Sequence, residues 1–329
     1  MQAPLDVLTY GEAMAMFVAA EPGPLDSATQ FTKRIAGADL NVAIGLARLG
    51  FRVGWISRVG ADSFGRYVLD TLARERVDAS CVTIDARYPT GFQLKSRATD
   101  GADPAVEYFR KGSAASRLSL DDYAPGYALG ARHLHLTGVA PALSDSSREL
   151  AFHLARTMRA AGKTVSFDPN LRPTLWPSAH EMARTLNALA EQADWVLPGL
   201  AEGRQLTGLD TPADIAGFYI ERGARGVVVK LGAAGAYFRT ADGREGTVAA
   251  ERVEHVVDTV GAGDGFAVGV VSALLEGRAI DDAVARGNRI GALAIQVIGD
   301  SEGLPLRAQL DRIENLSNAP DRLEAPLVR

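Results

Sequence analysis

The segment DTVGAGDGFAVG, Asp258–Gly269, sets three small residues and a carboxylate at the point where a loop turns into a helix. Gly261, Ala262 and Gly263 let a ligand approach the backbone closely. The apolar and small residues from Phe266 onward read as a buried helix whose first turn has free N–H groups. Such an end attracts phosphate. Asp264 would repel a phosphate there unless it has chemistry of its own, and taking the proton from an attacking hydroxyl is the chemistry that fits.

The rest of the chain must position that loop. With 329 residues, 47% hydrophobic and 23% charged, it can bury a large core. A net charge of -5 without a long Lys/Arg run argues against a nucleic-acid or anionic-membrane surface and leaves a small ligand as the expected partner. The start lacks the basic segment and apolar run of a signal peptide, no segment reaches membrane-spanning length, and Cys81 is the only cysteine, so the cytoplasm is the expected location. From about residue 131, short β-rich runs alternate with amphipathic segments, the pattern of βα units around a mostly parallel sheet. Two pairs of β-like stretches have no helix between their members: Ala13–Val18 with Phe31–Ile35, and Gly91–Arg97 with Val106–Arg110. They predict a separate small sheet, inserted near residues 12–35 and 88–112 into a single domain spanning 1–329. The tail after Ala319, with two prolines and mixed charge, is expected to fray.

Four further segments accompany the loop: AGADLNVAIGLARLG (Ala36–Gly50), with Gly37 and Asn41 opening an apolar helix; GWISRVGADSFG (Gly54–Gly65); KLGAAGAYF (Lys230–Phe238); and RGNRIGALAIQVIG (Arg286–Gly299). In this order, from Tyr10 to about Pro305, the chain resembles the ribokinase-like, or pfkB, carbohydrate kinases. The resemblance implies a three-layer α/β/α domain with a small β-sheet lid, and transfer of the γ-phosphoryl group of ATP to a sugar hydroxyl with Mg²⁺. It assigns Asp264 as the base and the amides of Gly261, Ala262 and Gly263 as an anion hole. Lys230, Gly232 and Gly235 would run along the nucleotide, with Asn288 beside the adenine. Glu202 would reach Mg²⁺ through water; the family commonly has Asn three residues before this Glu, and here that position is Gly199. Many members bind a monovalent cation near the backbone of Asp258–Val260, a point on which the sequence is silent. Relatives also pair their lids in a dimer. The apolar lid residues Met14, Met16 and Phe31 are too many for a free flap, and predict a homodimer or higher homo-oligomer.

The acceptor is read from two arginines. Tyr108 and Arg110, in EYFRKGSAAS, share one strand face, and Arg172 follows a strand in DPNLRPTLW. Two arginines suit the carboxylate of a sugar acid better than a neutral sugar, with ordinary salt bridging as the bland alternative. Both segments, with GADLN and LPGLAEGRQLTG, look like the 2-keto-3-deoxygluconate kinases within the family. That likeness implies contacts to the sugar acid from Gly37, Asn41, Tyr108, Arg110 and Arg172, and phosphorylation of its terminal hydroxyl. Fructokinase or ribokinase activity is the alternative, and a non-catalytic sensor a remote one.

Two patterns are set aside. Gly162-Lys163-Thr164 looks like the end of a Walker A loop, but Thr157 stands where that pattern needs Gly, and the triplet follows a helix and precedes a strand. His133 and His135 face one side of a strand, as zinc ligands might, without a second pair at matching spacing.

Overall fold

The computed structural model describes residues 4–97 and 103–317; the tail after Ala319 lies outside them. The N-terminal part contains β1 (Leu5–Tyr10), β2 (Met14–Pro22), β3 (Phe31–Ala36), α1 (Ala38–Arg48), β4 (Val53–Gly60), α2 (Ser63–Glu75), β5 (Asp78–Asp85), β6 (Phe92–Arg97) and β7 (Val106–Phe109). Then come α3 (Pro125–Leu129), β8 (Ala131–Thr137), α4 (Asp145–Ala160), β9 (Thr164–Asp168), α5 (Ala179–Ala190), β10 (Trp195–Val196), α6 (Leu200–Thr207) and α7 (Pro212–Ile220). The last elements are β11 (Gly226–Lys230), β12 (Ala236–Thr240), β13 (Glu245–Val248), α8 (Ala262–Leu275), α9 (Ile280–Ala294) and α10 (Arg307–Ser317).

Among the described residues the main sheet has nine strands in the order β13-β12-β11-β10-β9-β8-β1-β4-β5. The strands from β11 to β5 pair in parallel, and the β12–β13 hairpin extends the sheet antiparallel. Period-two alternation sends side chains to both faces, so each face carries its own core. Leu8, Leu134 and Phe167 pack with α4, α5 and α7 on one side; Val7, Trp55 and Val228 pack with α1, α8 and α9 on the other. This is the expected α/β/α sandwich. α8 and α9 cross closely enough that a Cβ on Gly269 would lie 2.5 Å from the Gly287 Cα.

The small sheet has the order β3-β2-β6-β7. β2 pairs antiparallel with β3 and parallel with β6, which joins the two inserted segments into one sheet, and β6 pairs antiparallel with β7. One prediction about this sheet needs correcting. Met14 and Met16 are buried within the single chain, Met16 against Val18 and Ala36, and Phe31 is half-buried. They therefore give no argument for a partner. The aromatic residues on the outer face of this sheet are others: Phe92 stacks on Phe109 at 4.6 Å, Phe17 and, from α2, Phe64 complete the cluster, and Phe109 is 47% exposed.

The GWISRVGADSFG segment proves to be largely structural. Asp62 caps α2 by accepting from the Gly65 N–H at 2.7 Å, a contact worth about 1 kcal/mol, and its other oxygen accepts from the Thr90 N–H at 2.8 Å, just before β6. Arg58 pairs with Asp122 at 2.8 Å. Gly162, at φ 70°, closes α4 and leads into β9, so the Gly-Lys-Thr triplet sits in a helix-to-strand turn. The edge strand β5 and helices α7 and α10 were not anticipated. Among the described residues no helix is long and apolar enough to cross a membrane.

Candidate active site

Parallel strands deliver their following loops to one edge, and ligands of such sheets bind outside the carboxyl ends of the strands. Here Glu12 follows β1, Val139 follows β8, Asn170 and Arg172 follow β9, Glu202 follows β10, and Lys230 ends β11. All of them line one polar cavity of about 480 Å³, roofed by Gln93, Lys95 and Tyr108 from the small sheet.

Helix α8 points into this cavity. Its cap, Gly261, has φ 86°, and a Cβ there would lie 2.3 Å from the Asp300 carbonyl oxygen, so both conformation and space require glycine. The first-turn N–H groups of the helix have no acceptor within it, and its dipole adds partial positive charge at the same place. Asp264 sits in that turn, buried, and its two carboxylate oxygens accept from Asn41 Nδ2 at 2.7 Å and Asn170 Nδ2 at 3.2 Å. Burial raises its pKa to about 7, helped by the charges of Asp168 and Asp300 and opposed by the Asn41 hydrogen bond and Arg172. A second buried carboxyl, Asp39, is also raised to about 7 by burial, with Thr137 donating to it from N–H and hydroxyl.

The predicted acceptor residues meet in the same cavity. Gly37, at φ 149°, caps α1 where a Cβ would lie 2.4 Å from the Glu12 carbonyl oxygen. Tyr108 is 47% exposed, whereas Arg110 is buried and ion-paired with Glu12, which also accepts from the Ser113 hydroxyl. Arg110 is therefore half engaged by the protein itself. Its Nε, and Asn41 Oδ1, are buried without a hydrogen-bond partner among the described residues. A buried polar atom left so costs about 1–3 kcal/mol, and both line the cavity. Arg172 is half-buried and donates from one NH group to the Leu171 carbonyl at 2.8 Å.

A second, largely apolar cavity of about 640 Å³ adjoins the first, the two sharing Lys230, Thr259 and Gly263 as walls. It is bounded by the Gly232–Gly235 turn, whose glycines have φ 61° and 96°, and by Phe266, Ala292 and Ile295 of α8 and the end of α9. Lys230 bonds Asp168 at 2.6 Å; against the effect of burial, the carboxylates of Asp168 and Glu202 hold its ammonium protonated. Asn288 also lines this cavity, but its Nδ2 donates to the Val248 and Ala249 carbonyls at 3.1 and 2.9 Å. It holds the wall rather than presenting a free donor.

Glu202 is similarly occupied. One oxygen accepts from Leu171 N–H at 2.8 Å and the other from Gly199 N–H at 2.7 Å, capping α6. Gly199, where the family commonly has Asn, thus takes part through its backbone. Among the described residues no group of three or more His, Cys, Asp or Glu could hold a metal alone. Mg²⁺ is usually held by one or two carboxylates together with phosphates and water, so Glu202 beside the Lys230–Asp168 pair fits it in that form. His133 and His135 sit in the core, where both rings hydrogen-bond Ser166 and burial lowers each to about 3.

Among the site residues not read from the sequence are Glu12, Asn170 and Lys95. Lys95 escaped because alternation names the face and not what covers it. In β6, FQLKSR, the polar Gln93 and Lys95 are buried and the apolar Phe92 and Leu94 half-buried, the inverse of a strand lying on a core. Glu12 and Asn170 lie within loops that carry no period.

An open α/β sheet with a polar and an apolar cavity meeting at a glycine-capped helix start, beside a buried carboxylate, defines a protein built to bring a phosphate compound up to a polar second ligand. The chain belongs to the pfkB family of carbohydrate kinases, whose signature matches residues 5–307. A 2-dehydro-3-deoxygluconokinase of Bacillus subtilis (strain 168) is 52% identical over 307 residues, 93% of this chain and 94% of the relative. The crystal structure of a PfkB protein from Polaromonas sp. JS666 is 55% identical, with a TM-score of 0.86 over 93% of this chain and 99% of that one. A putative ribokinase II from E. coli, in complex with ATP and Mg²⁺, is 26% identical with a TM-score of 0.87, covering 95% and 99% of the two chains.

Proposed function

We propose that this protein transfers the γ-phosphoryl group of ATP to the terminal 6-hydroxyl of 2-keto-3-deoxygluconate, giving the 6-phosphate and ADP. The observation that carries the proposal is Asp264, a buried carboxylate beside the free N–H groups that open α8, where the polar and apolar cavities meet. The name of the Bacillus subtilis relative supports the acceptor, and the E. coli complex supports ATP with Mg²⁺.

In this reading the adenosine lies in the apolar cavity along Gly232, Gly235 and Asn288, and the sugar acid in the polar one. Asn41 and Asn170 hold the Asp264 carboxylate in one orientation, so its proton-accepting oxygen faces the hydroxyl without reorganising. A base whose pKa is near 7 is partly ionised at neutral pH and still basic enough to take a proton, an arrangement worth about 10²–10⁴ in rate. The amides of Gly261, Ala262 and Gly263 meet the charge that develops on the transferring phosphoryl oxygens. Lys230, held protonated by Asp168, adds fixed positive charge at the junction. Mg²⁺, when bound near Glu202, supplies neutralisation of phosphate charge. Arg172 and the remaining N–H donors of Arg110 bind the sugar-acid carboxylate. Asn41 Oδ1 accepts from a sugar hydroxyl, as Tyr108 closes over the ring. The small sheet acts as a lid that excludes water, and its outer aromatic face, with Phe109 exposed, is the surface through which we expect a homo-oligomer to form.

An ADP-release assay across 2-keto-3-deoxygluconate, its galacto epimer, fructose, ribose and adenosine tests the reading. The highest kcat/KM should fall to a sugar acid. Preference for a neutral sugar would overturn the acceptor, and no ADP release with any of them would overturn the kinase assignment.

A further inference from the structure

Lys95 is a buried cation that the reaction as described does not use. It lies on β6 of the small sheet, with its side chain 1% exposed, and its Nζ is 2.6 Å from Asp258 Oδ2 and 3.1 Å from Asp300 Oδ1. Both carboxylates belong to backbone that shapes the phosphate loop. Asp258 accepts from Val260 N–H at 3.1 Å and from Gly299 N–H at 3.3 Å, and its own N–H donates to the Ile295 carbonyl at 3.2 Å. The Asp300 carbonyl oxygen is the atom against which Gly261 is packed.

Two buried carboxylates this close to the opening of α8 would repel each other and any phosphate brought there. Lys95 offsets one of the two charges. Against the effect of burial, Asp300 and Asp258 hold its ammonium protonated.

We infer that Lys95 is a positioning residue, a tethered cation that orders the Asp258–Gly263 loop and ties it to the small sheet. This inference rests on the kinase reading and extends it. The lysine ammonium already supplies a fixed positive charge beside Asp258 and Asp300, next to the Asp258–Val260 backbone, so phosphoryl transfer needs no added monovalent cation. The lid cannot move far from the loop without separating a buried ion pair.

The test compares the wild-type protein with Lys95→Met and with the charge-balanced Lys95→Met/Asp300→Asn. The balanced variant guards against a single variant that does not fold. Steady-state ADP release is measured with 2-keto-3-deoxygluconate in buffers containing tetramethylammonium, potassium or ammonium chloride, and melting temperature is recorded in the same buffers. The wild-type rate should be equal in all three. Whichever variants fold should lose at least about tenfold in kcat or in KM for ATP, keep KM for the sugar acid within about twofold, and regain rate and melting temperature with ammonium or potassium but not tetramethylammonium. A wild-type rate that depends on potassium, a variant with undiminished rate, or a loss that no small cation restores would overturn the role of Lys95. If the wild type releases no ADP at all, it is the kinase reading that fails. The melting temperatures then still decide the Lys95 inference, because cation-dependent stabilisation confined to the variants supports it and its absence overturns it.

Discussion

The two cavities that meet at Lys230 are lined in opposite ways. The polar one under the small sheet is walled by charged and amide side chains from distant parts of the chain, with Glu12, Arg110, Asn41 and Asp264 all buried. The apolar one beside α8 and α9 is walled mostly by glycines, aliphatic residues and Phe266, with Lys230, Glu251 and Arg252 among its lining, and the amide of Asn288 is turned to neighbouring carbonyls. Side-chain hydrogen bonds and ion pairs discriminate steeply, because a wrong ligand strands a buried polar group, whereas an apolar slot discriminates by shape and by much less. The acceptor side should therefore be selective and easily damaged, and the nucleotide side tolerant.

The largest expected effect lies where the cavities meet. Asp264→Asn should fold and bind ATP by calorimetry while kcat falls by about 10²–10⁴, and near-normal turnover would sink the role given to Asp264. In the wild type kcat/KM should rise with pH through about 7, as Asp264 loses its proton.

The same group makes a prediction about stability. Its folded pKa lies above its unfolded one, so the folded state binds the extra proton, and stability present below about pH 4 declines as pH rises through about 7. Asp39 adds to this with the same sign. Asp264→Asn should flatten the fall of melting temperature between pH 4 and 8, with the variant gaining on the wild type at pH 8.

Next comes the acceptor side. Arg110→Ala alone leaves Glu12 buried without its cation, a loss of about 3–5 kcal/mol in stability, so the informative variant is Arg110→Ala with Glu12→Gln. It should restore melting temperature while KM for the sugar acid rises roughly 10- to 100-fold and KM for ATP stays put, since hydrogen bonds to charged groups are worth about 1.5–3 kcal/mol. An unchanged KM for the acid would show that Glu12 and Arg110 serve each other rather than the substrate.

The smallest effect belongs to the nucleotide side. Asn288→Ala removes two hydrogen bonds to a cavity wall and should raise KM for ATP only about two- to tenfold, leaving the acid untouched. A loss as large as that of the arginine variant would break the contrast between the cavities.

How much of this was legible in the sequence follows the same division. The phosphate loop and its glycines could be read directly, because a positive φ and a close approach leave a mark in residue type, as at Gly261 and Gly37. The βα alternation after residue 131 could be read because burial on both sheet faces leaves short β-rich runs, buried along nearly their whole length, between amphipathic helices. The edge strand β5 escaped because its residues are only partly buried and show no clean alternation. The burial of Met14 and Met16 escaped for another reason: a strand's pattern says which residues share a face, and only packing says what that face meets.

The sequence by itself determined the kinds of group present: a helix start bare of side chains, a carboxylate beside it, glycines where no Cβ fits, and two arginines near the acceptor. Local chemistry marks these in residue type, since positive φ and first-turn hydrogen bonding depend on neighbours in the chain. Only the tertiary structure decided who pairs with whom. Glu12 holds Arg110, Asn41 and Asn170 hold Asp264, and Lys95 reaches across from the small sheet to Asp258 and Asp300. Those partners lie tens to hundreds of residues apart, and the burial that makes their charges matter comes from packing layers that no local pattern records.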